Sequence, residues 1–258
     1  ISKQIDVISV EEIISQLKTG LENHQNIDVI TFTANGEPTL YPHLSELIDE
    51  IDKIKGDIKT LILSNGANIY EDEIQKTLSK IDIVKLSLDC VSAECFKKLD
   101  RVDSSVDCSK IVSGMVDFRA LHTKQLILEA LFVKTLNDND KEIALLKDAF
   151  NLIQPNRIDI GTIDRPPAYA VQPVSHETLV NIADTLEGLP VTIAHKNKIV
   201  NKQSFDKNEI KTLLARRPLT FDDVENTFDD KSLDLLNILV KEEEISIVNN
   251  NGVKFYKI

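Results

Sequence analysis

The stretch Ile27–Leu40, IDVITFTANGEPTL, decides how this chain is read. Its first half, Val29, Ile30, Thr31, Phe32 and Thr33, is a run of β-branched and aromatic residues of the kind that fills a buried strand. Its second half, Ala34-Asn35-Gly36-Glu37-Pro38, is a short polar loop. Gly36 allows close approach to the backbone and Pro38 sets the exit angle. A helix is expected to open near Pro42, where proline in the first turn costs no hydrogen bond. Glu37 is thereby held at the carboxyl end of a strand. A carboxylate and several carbonyls aimed at one point suit a ligand carrying a cationic amino group. An ordinary strand-to-helix turn is the bland alternative for a bare Gly-Glu-Pro.

Outward from this stretch, the same unit recurs. Val10–Asn23 reads as an amphipathic helix, with Ser9 and Glu12 as a capping box. Leu44, Leu47, Ile48, Ile51 and Ile54 line a second helix that stops at Gly56. Apolar strands are expected at 58–66, 81–89, 125–134 and 157–164, each followed by a helical segment, with a last strand at 191–195. Near-continuous apolar strands alternating with helices mean a parallel sheet with covering helices. Neither G-x-G-x-x-G nor G-x-x-x-x-G-K occurs, so a nucleotide-cradling doubly wound sheet is the weaker choice and a full or partial barrel the better one.

Composition bounds the function. The 258 residues are 42% hydrophobic, enough for a full core, and the net charge is -12. An acidic chain repels a phosphate backbone, which disfavours nucleic acid as a partner. Cys90, Cys95 and Cys108 lack the short paired spacing of a metal site and are expected as reduced thiols in a cytoplasmic protein. No apolar run reaches membrane-span length. The composition changes after Lys196: 197–206 is polar and reads as a linker. Residues 207–258 read as helices followed by a hairpin turning at Asn251-Gly252, a winged-helix-like unit. That unit holds 8 Lys and Arg against 10 Asp and Glu, so a structural or protein-contact role fits it better than DNA reading.

In parallel α/β folds, ligands sit at the carboxyl ends of the strands. The polar residues expected there are Thr33, Asn35 and Glu37, then Ser64 and Asn65, Ser87 and Asp89, Glu129 and Lys134, and Thr162, Asp164 and Arg165. Asn65 before Gly66 reads equally as a turn residue. Ser87 and Asp89 could equally cap the helix after Ser92. Glu129 lies within an apolar strand, where an unpaired buried carboxylate is costly. Lys134 could be solvated rim, and Asp164-Arg165 a structural ion pair. The five histidines show no metal spacing.

Four segments in order, TFTANGEPTLYPHLSELI, LILSNG, IVKLSLDCVSAECFKKLDR and IDIGTIDRPP, resemble the radical SAM superfamily, and within it the iron–sulfur oxidoreductases related to wyosine-type tRNA-modifying enzymes. The resemblance spans about residues 5–196. It implies a partial (βα)6 barrel over 1–196 that binds S-adenosylmethionine and a [4Fe–4S] cluster, takes an electron from a donor, and makes a 5′-deoxyadenosyl radical. By the same resemblance Asn35, Gly36 and Glu37 hold the methionine amino group, and Asn65, Ser87 and Asp89 touch the methionine carboxylate or the ribose. Lys134, Asp164 and Arg165 are left for substrate. The family's C-x3-C-x2-C is absent from this sequence, and the spacing of Cys90, Cys95 and Cys108 does not replace it. The first barrel strand and the cluster cysteines are therefore expected ahead of Ile1, and the 258 residues alone are expected to be inactive. Two rival readings are a non-catalytic binding or regulatory module on the same barrel and an unrelated barrel lyase using Lys134 as a Schiff base.

Overall fold

The structure is a computed structural model that describes residues 7–24, 26–34, 36–99, 107–164, 170–194, 202–216, 218–250 and 253–258. It divides into two compact units: Ile1–Gly161 with His176–Ile193, and Thr162–Ser175 with Ala194–Ile258.

In the first unit, helix α1 (Val10–Asn23) precedes strand β1 (Val29–Phe32). A 3-10 turn at Pro38–Leu40 intervenes before α2 (Leu44–Asp52). Thus the helix expected at Pro42 begins two residues later, because the loop first closes on the side chain of Glu37, which accepts from the Thr39 N–H. The alternation continues through β2 (Lys59–Ser64), α3 (Asp72–Ser79), β3 (Ile83–Ser87), α4 (Ala93–Leu99), α5 (Cys108–Leu121), β4 (Gln125–Phe132), α6 (Asp140–Ile153), β5 (Arg157–Thr162), α7 (His176–Thr185) and β6 (Val191–Ile193). The six strands lie in sequential order β1-β2-β3-β4-β5-β6. That is a parallel sheet wound in one direction, the architecture of a partial barrel.

Strand alternation separates the two faces of the sheet. Ile62, Val84, Leu86, Leu126, Leu128, Ile158 and Ile160 are fully buried on the helix side. Each helix answers with an apolar stripe; in α2 this is Leu44, Leu47, Ile48 and Ile51. The amino-terminal ends of β2 and β3 are braced by Asp82, whose carboxylate accepts from the Thr60 N–H (3.0 Å), the Thr60 hydroxyl (3.1 Å) and the Lys124 ammonium (3.0 Å). Partial burial pushes the Asp82 pKa up, but the hydrogen bonds from Thr60 and Lys124 outweigh it and hold the carboxyl well below the usual carboxylate range.

The cysteines differ from the expectation of reduced thiols. Cys90 and Cys95 are joined in a disulfide, and Cys108 is buried with its thiol 3.6 Å from the Cys90 carbonyl. The physical reason is local. The first turn of α4, capped by Ser92 accepting from the Cys95 N–H (3.1 Å), returns residue 95 to within 5.7 Å of residue 90 between Cα atoms, a separation a disulfide can bridge.

The second unit carries α8 (Lys207–Arg216), β7 (Leu219–Thr220), α9 (Phe221–Thr227), α10 (Asp230–Lys241), β8 (Ser246–Asn250) and β9 (Val253–Lys257). Its antiparallel sheet runs β7-β9-β8. The hairpin and helices agree with a winged-helix-like unit. The two-residue strand β7 was not foreseen, being too short to show a period. The Asn251-Gly252 turn lies outside the described residues. Ile210, Leu214, Val224, Phe228, Leu236, Leu239 and Ile245 form this unit's own core.

One close contact in the first unit is directly testable. A Cβ at Gly114 in α5 would stand 2.7 Å from the Tyr70 Cα and 2.8 Å from its nitrogen. Gly114→Ala should therefore destabilise the unit by about 1–3 kcal/mol despite alanine's better helix propensity. A denaturant midpoint equal to or above that of the unaltered protein contradicts this packing.

Candidate functional site

The carboxyl end of β1 is organised by Glu37, which is half-buried. Its Oε1 accepts from the Thr39 N–H (3.0 Å) and from the Thr39 hydroxyl (2.8 Å). Its Oε2 accepts from the N–H of Asn65 (2.8 Å), across the strand gap at the end of β2. The Thr39 hydroxyl also stands 2.9 Å from the side-chain oxygen of Asn68. One carboxylate thus joins the loops after β1 and β2. Such bonds from backbone N–H to an ionised acceptor are short and strong. Each carboxylate oxygen has two lone pairs, so Oε2 keeps one acceptor position beyond the Asn65 bond.

The second loop is shaped by its own sequence. The Asn65 side-chain oxygen accepts from the Ala67 N–H (2.9 Å), an Asx turn, which leaves its exposed amide nitrogen pointing away from that bond. Gly66 has φ +70°, a conformation that favours glycine; a Cβ there would stand 2.9 Å from the Met115 Cε, the movable end of a flexible side chain. The turn reading of Asn65 is realised, and its NH2 remains free of protein partners among the described residues.

At the end of β3, Ser87 and Asp89 are half-buried. The Asp89 Oδ1 accepts from the Leu131 N–H (2.7 Å) on β4. The helix cap considered for these two residues falls to Ser92 instead. Asn137, which sequence reading passed over, completes this corner. It is fully buried. Its Nδ2 donates to the carbonyls of Asp89 and Leu131 (both 2.8 Å), and its Oδ1 accepts from the Val133 N–H (2.7 Å). The signal was present as an Asn closing the apolar run of β4, but one buried Asn among the polar Asn137-Asp138-Asn139-Asp140 does not stand out.

The structure therefore sets Gly36, Glu37, Asn65, Ser87 and Asp89 at three successive strand ends. Lys134 is exposed in the turn beyond β4. Asp164 is exposed and belongs to the second unit. Asn35 and Arg165 lie outside the described residues. Glu129 is corrected: it is neither buried nor unpaired, for its side chain is 48% exposed and accepts from the Lys85 ammonium at 2.7 Å. The alternation of β4 puts it on the face opposite the helices.

A [4Fe–4S] cluster needs three thiolates. Cys90 and Cys95 are paired, Cys108 is buried, and among the described residues no group of three His, Cys, Asp or Glu could hold a metal. The described residues do not fit the cluster.

Residues 2–146 match the sequence profile of the radical SAM superfamily. The chain belongs to the radical SAM superfamily. A protein of Helicobacter pylori strain J99 named "UPF0026 protein" is 36% identical over 259 residues, covering 99% of this chain and 84% of that one. The radical SAM match ends at residue 146, so this longer similarity takes in the second unit as well. Among solved structures, a domain of pyruvate-formate lyase-activating enzyme from Bacteroides vulgatus superposes with a TM-score of 0.51 at 17% identity, covering 64% of this chain and 98% of that one. A radical SAM methyltransferase from Sphaerobacter thermophilus gives a TM-score of 0.57 at 13% identity, covering 74% and 58%. Both likenesses concern the fold alone.

Asn137→Ala strips partners from the Val133 N–H and from two buried carbonyls, and should cost about 2–4 kcal/mol of stability. Asn137→Asp should cost a similar amount, because a carboxylate cannot donate to the Asp89 and Leu131 carbonyls. Equilibrium denaturation measures both; a loss below about 0.5 kcal/mol would show that the clamp is idle.

Proposed function

We propose that this radical SAM barrel binds S-adenosylmethionine at the carboxyl ends of β1, β2 and β3, as part of an iron–sulfur enzyme that makes a 5′-deoxyadenosyl radical. In this reading a [4Fe–4S] cluster is held by thiolates outside the described residues and is reduced by an electron donor protein or small reductant. The substrate is left open, and kinship with the wyosine-type branch rests on motif order alone. A cytoplasmic location accompanies the reading, and in that reducing compartment the Cys90–Cys95 bond would open to two thiols.

The observation that carries the reading is the Glu37 carboxylate, which ties the loops after β1 and β2 together beside Ser87 and Asp89. The residues here have separable tasks. Glu37 sets the spacing of the two loops and offers one acceptor position to an ammonium. The free NH2 of Asn65 suits a carboxylate oxygen. Ser87, whose hydroxyl has no protein partner among the described residues, suits a ribose hydroxyl. Asp89 is fixed in place through Leu131 and Asn137.

The rival reading is a non-catalytic binding or regulatory module on the same barrel. Calorimetry separates the outcomes. S-adenosylmethionine should bind with one-to-one stoichiometry, and Glu37→Gln should weaken it by about tenfold or more, since an amide has one acceptor oxygen and its NH2 cannot take the second backbone N–H. No heat of binding in the unaltered protein rejects the site. Binding without formation of 5′-deoxyadenosine, in the iron-reconstituted protein, favours the module.

A further inference from the structure

His122 is a buried titratable group that the strand-end site does not use. It ends α5: its N–H donates to the Phe118 carbonyl at 2.7 Å. Its ring stacks on that of Phe118, with centroids 4.9 Å apart and planes 12° apart, and the residue is 1% exposed. The Nε2 lies 3.4 Å from the Gln125 carbonyl. A carbonyl only accepts, so the proton belongs on Nε2 and Nδ1 is left as a bare acceptor. That Nδ1 is buried and has no hydrogen-bond partner among the described residues, a rare condition for a polar atom in a folded protein.

The surroundings oppose a second proton. Arg119, from α5 itself, donates to the His122 carbonyl at 2.8 Å. Lys124, just before β4, donates to the Lys80 carbonyl after α3 (2.7 Å) and to the Asp82 carboxylate at the head of β3 (3.0 Å). The Lys80 ammonium turns to Asp49, at 2.7 Å. Burial first, with Lys124 and Arg119 behind it, holds the imidazole below its ordinary value, and the carbonyls of Gln125 and Ser79 only partly offset this. The ring is thus neutral in the folded unit. Such a group takes its proton more readily in the unfolded chain. Its contribution to stability is whole above the unfolded value of about 6.5 and is lost as pH falls below it.

The helix that His122 ends also braces the loop after β2. The Gln75 Nε2 donates to the carbonyls of both Ile69 (2.9 Å) and Gly114 (3.2 Å). Gly114 packs on the backbone of Tyr70, and the Met115 Cε lies over Gly66. We propose that His122 is an acid-sensitive latch. Protonation drives the ring out of its stack on Phe118, frees the end of α5 from β4 and, through Gly114 and Met115, slackens the loop 65–70. This is local opening of one helix end rather than unfolding of the whole unit. The latch stands apart from any ligand; only its effect on S-adenosylmethionine rests on the strand-end reading.

Two measurements on the unaltered full chain test the latch. The His122 imidazole resonance, assigned by its proximity to the Phe118 ring, should titrate with a midpoint below about 6.5. Hydrogen exchange at pH 7.5 and 5.5, corrected for intrinsic rates, should be about threefold or more faster at the lower pH for the amides of 115–126 and 66–70. His122→Phe, which keeps the stack and cannot take a proton, should remove that difference. S-adenosylmethionine affinity by calorimetry should fall over the same interval in the unaltered protein and not in His122→Phe. A midpoint at or above 6.5, exchange unchanged with pH, or acceleration that persists in His122→Phe each overturns the latch. An affinity independent of pH, in a protein that binds, overturns its coupling to the rim. The first two measurements decide even where His122→Phe does not fold. Should S-adenosylmethionine bind at neither pH, the strand-end reading falls while resonance and exchange still decide the latch.

Discussion

The arrangement of this barrel depends on one carboxylate satisfying backbone groups that the sheet cannot. Strands end, and the N–H groups of the next loop need acceptors. Glu37 supplies them on both sides of a strand boundary, to Thr39 in its own loop and to Asn65 in the next. Because the acceptor is ionised and half-buried, the bonds are worth more than neutral ones and their geometry is restrictive. Two loops that would otherwise move independently become one rim.

The same device is repeated one strand further on. Asp89 accepts from the Leu131 N–H, and Asn137 uses three of its hydrogen-bonding positions to close the corner between β3 and β4. At the other end of the sheet, Asp82 does comparable work between β2 and β3, with Lys124 and Lys55 alongside. The two ends differ in what is left over. Asp82 is saturated by donors and serves stability. At the carboxyl end the Ser87 hydroxyl and the Asn65 NH2 have no protein partner among the described residues, and Glu37 Oε2 has one lone pair beyond its bond to Asn65. A rim that is rigid in its backbone and unsatisfied in its side chains is what a preorganised ligand site requires.

The strands were legible because each is a run of Ile, Leu and Val, although burial alternates along β2 and β3, and the helices because 3.6-residue spacing survives in Leu44–Ile51 and its counterparts. Glycine positions were legible where φ is positive, as at Gly66. What was hidden has a common cause: it depends on partners distant in sequence. Glu37 was found as a site residue, yet its bond to Asn65 spans 28 residues. Glu129 looked unpaired because Lys85 lies 44 residues earlier. Asn137 closes the apolar run after β4 but is one of four successive polar residues, and its bond to the Asp89 carbonyl spans 48 residues. The Cys90–Cys95 bond was missed for the opposite reason, since an odd count of thiols argued for reduction while the short turn at Ser92 argued for closure. The strand β7, at two residues, is below the length at which alternation can be read.

The central claim is that the ends of β1, β2 and β3 form one ligand rim. Backbone amide NMR of the 15N-labelled chain titrated with S-adenosylmethionine addresses it most directly. The account predicts that shifts concentrate at Gly36, Asn65, Gly66 and 87–89, with the Leu131 amide following through its bond to Asp89. Shifts confined to 219–257, or spread evenly with none at these strand ends, would contradict it.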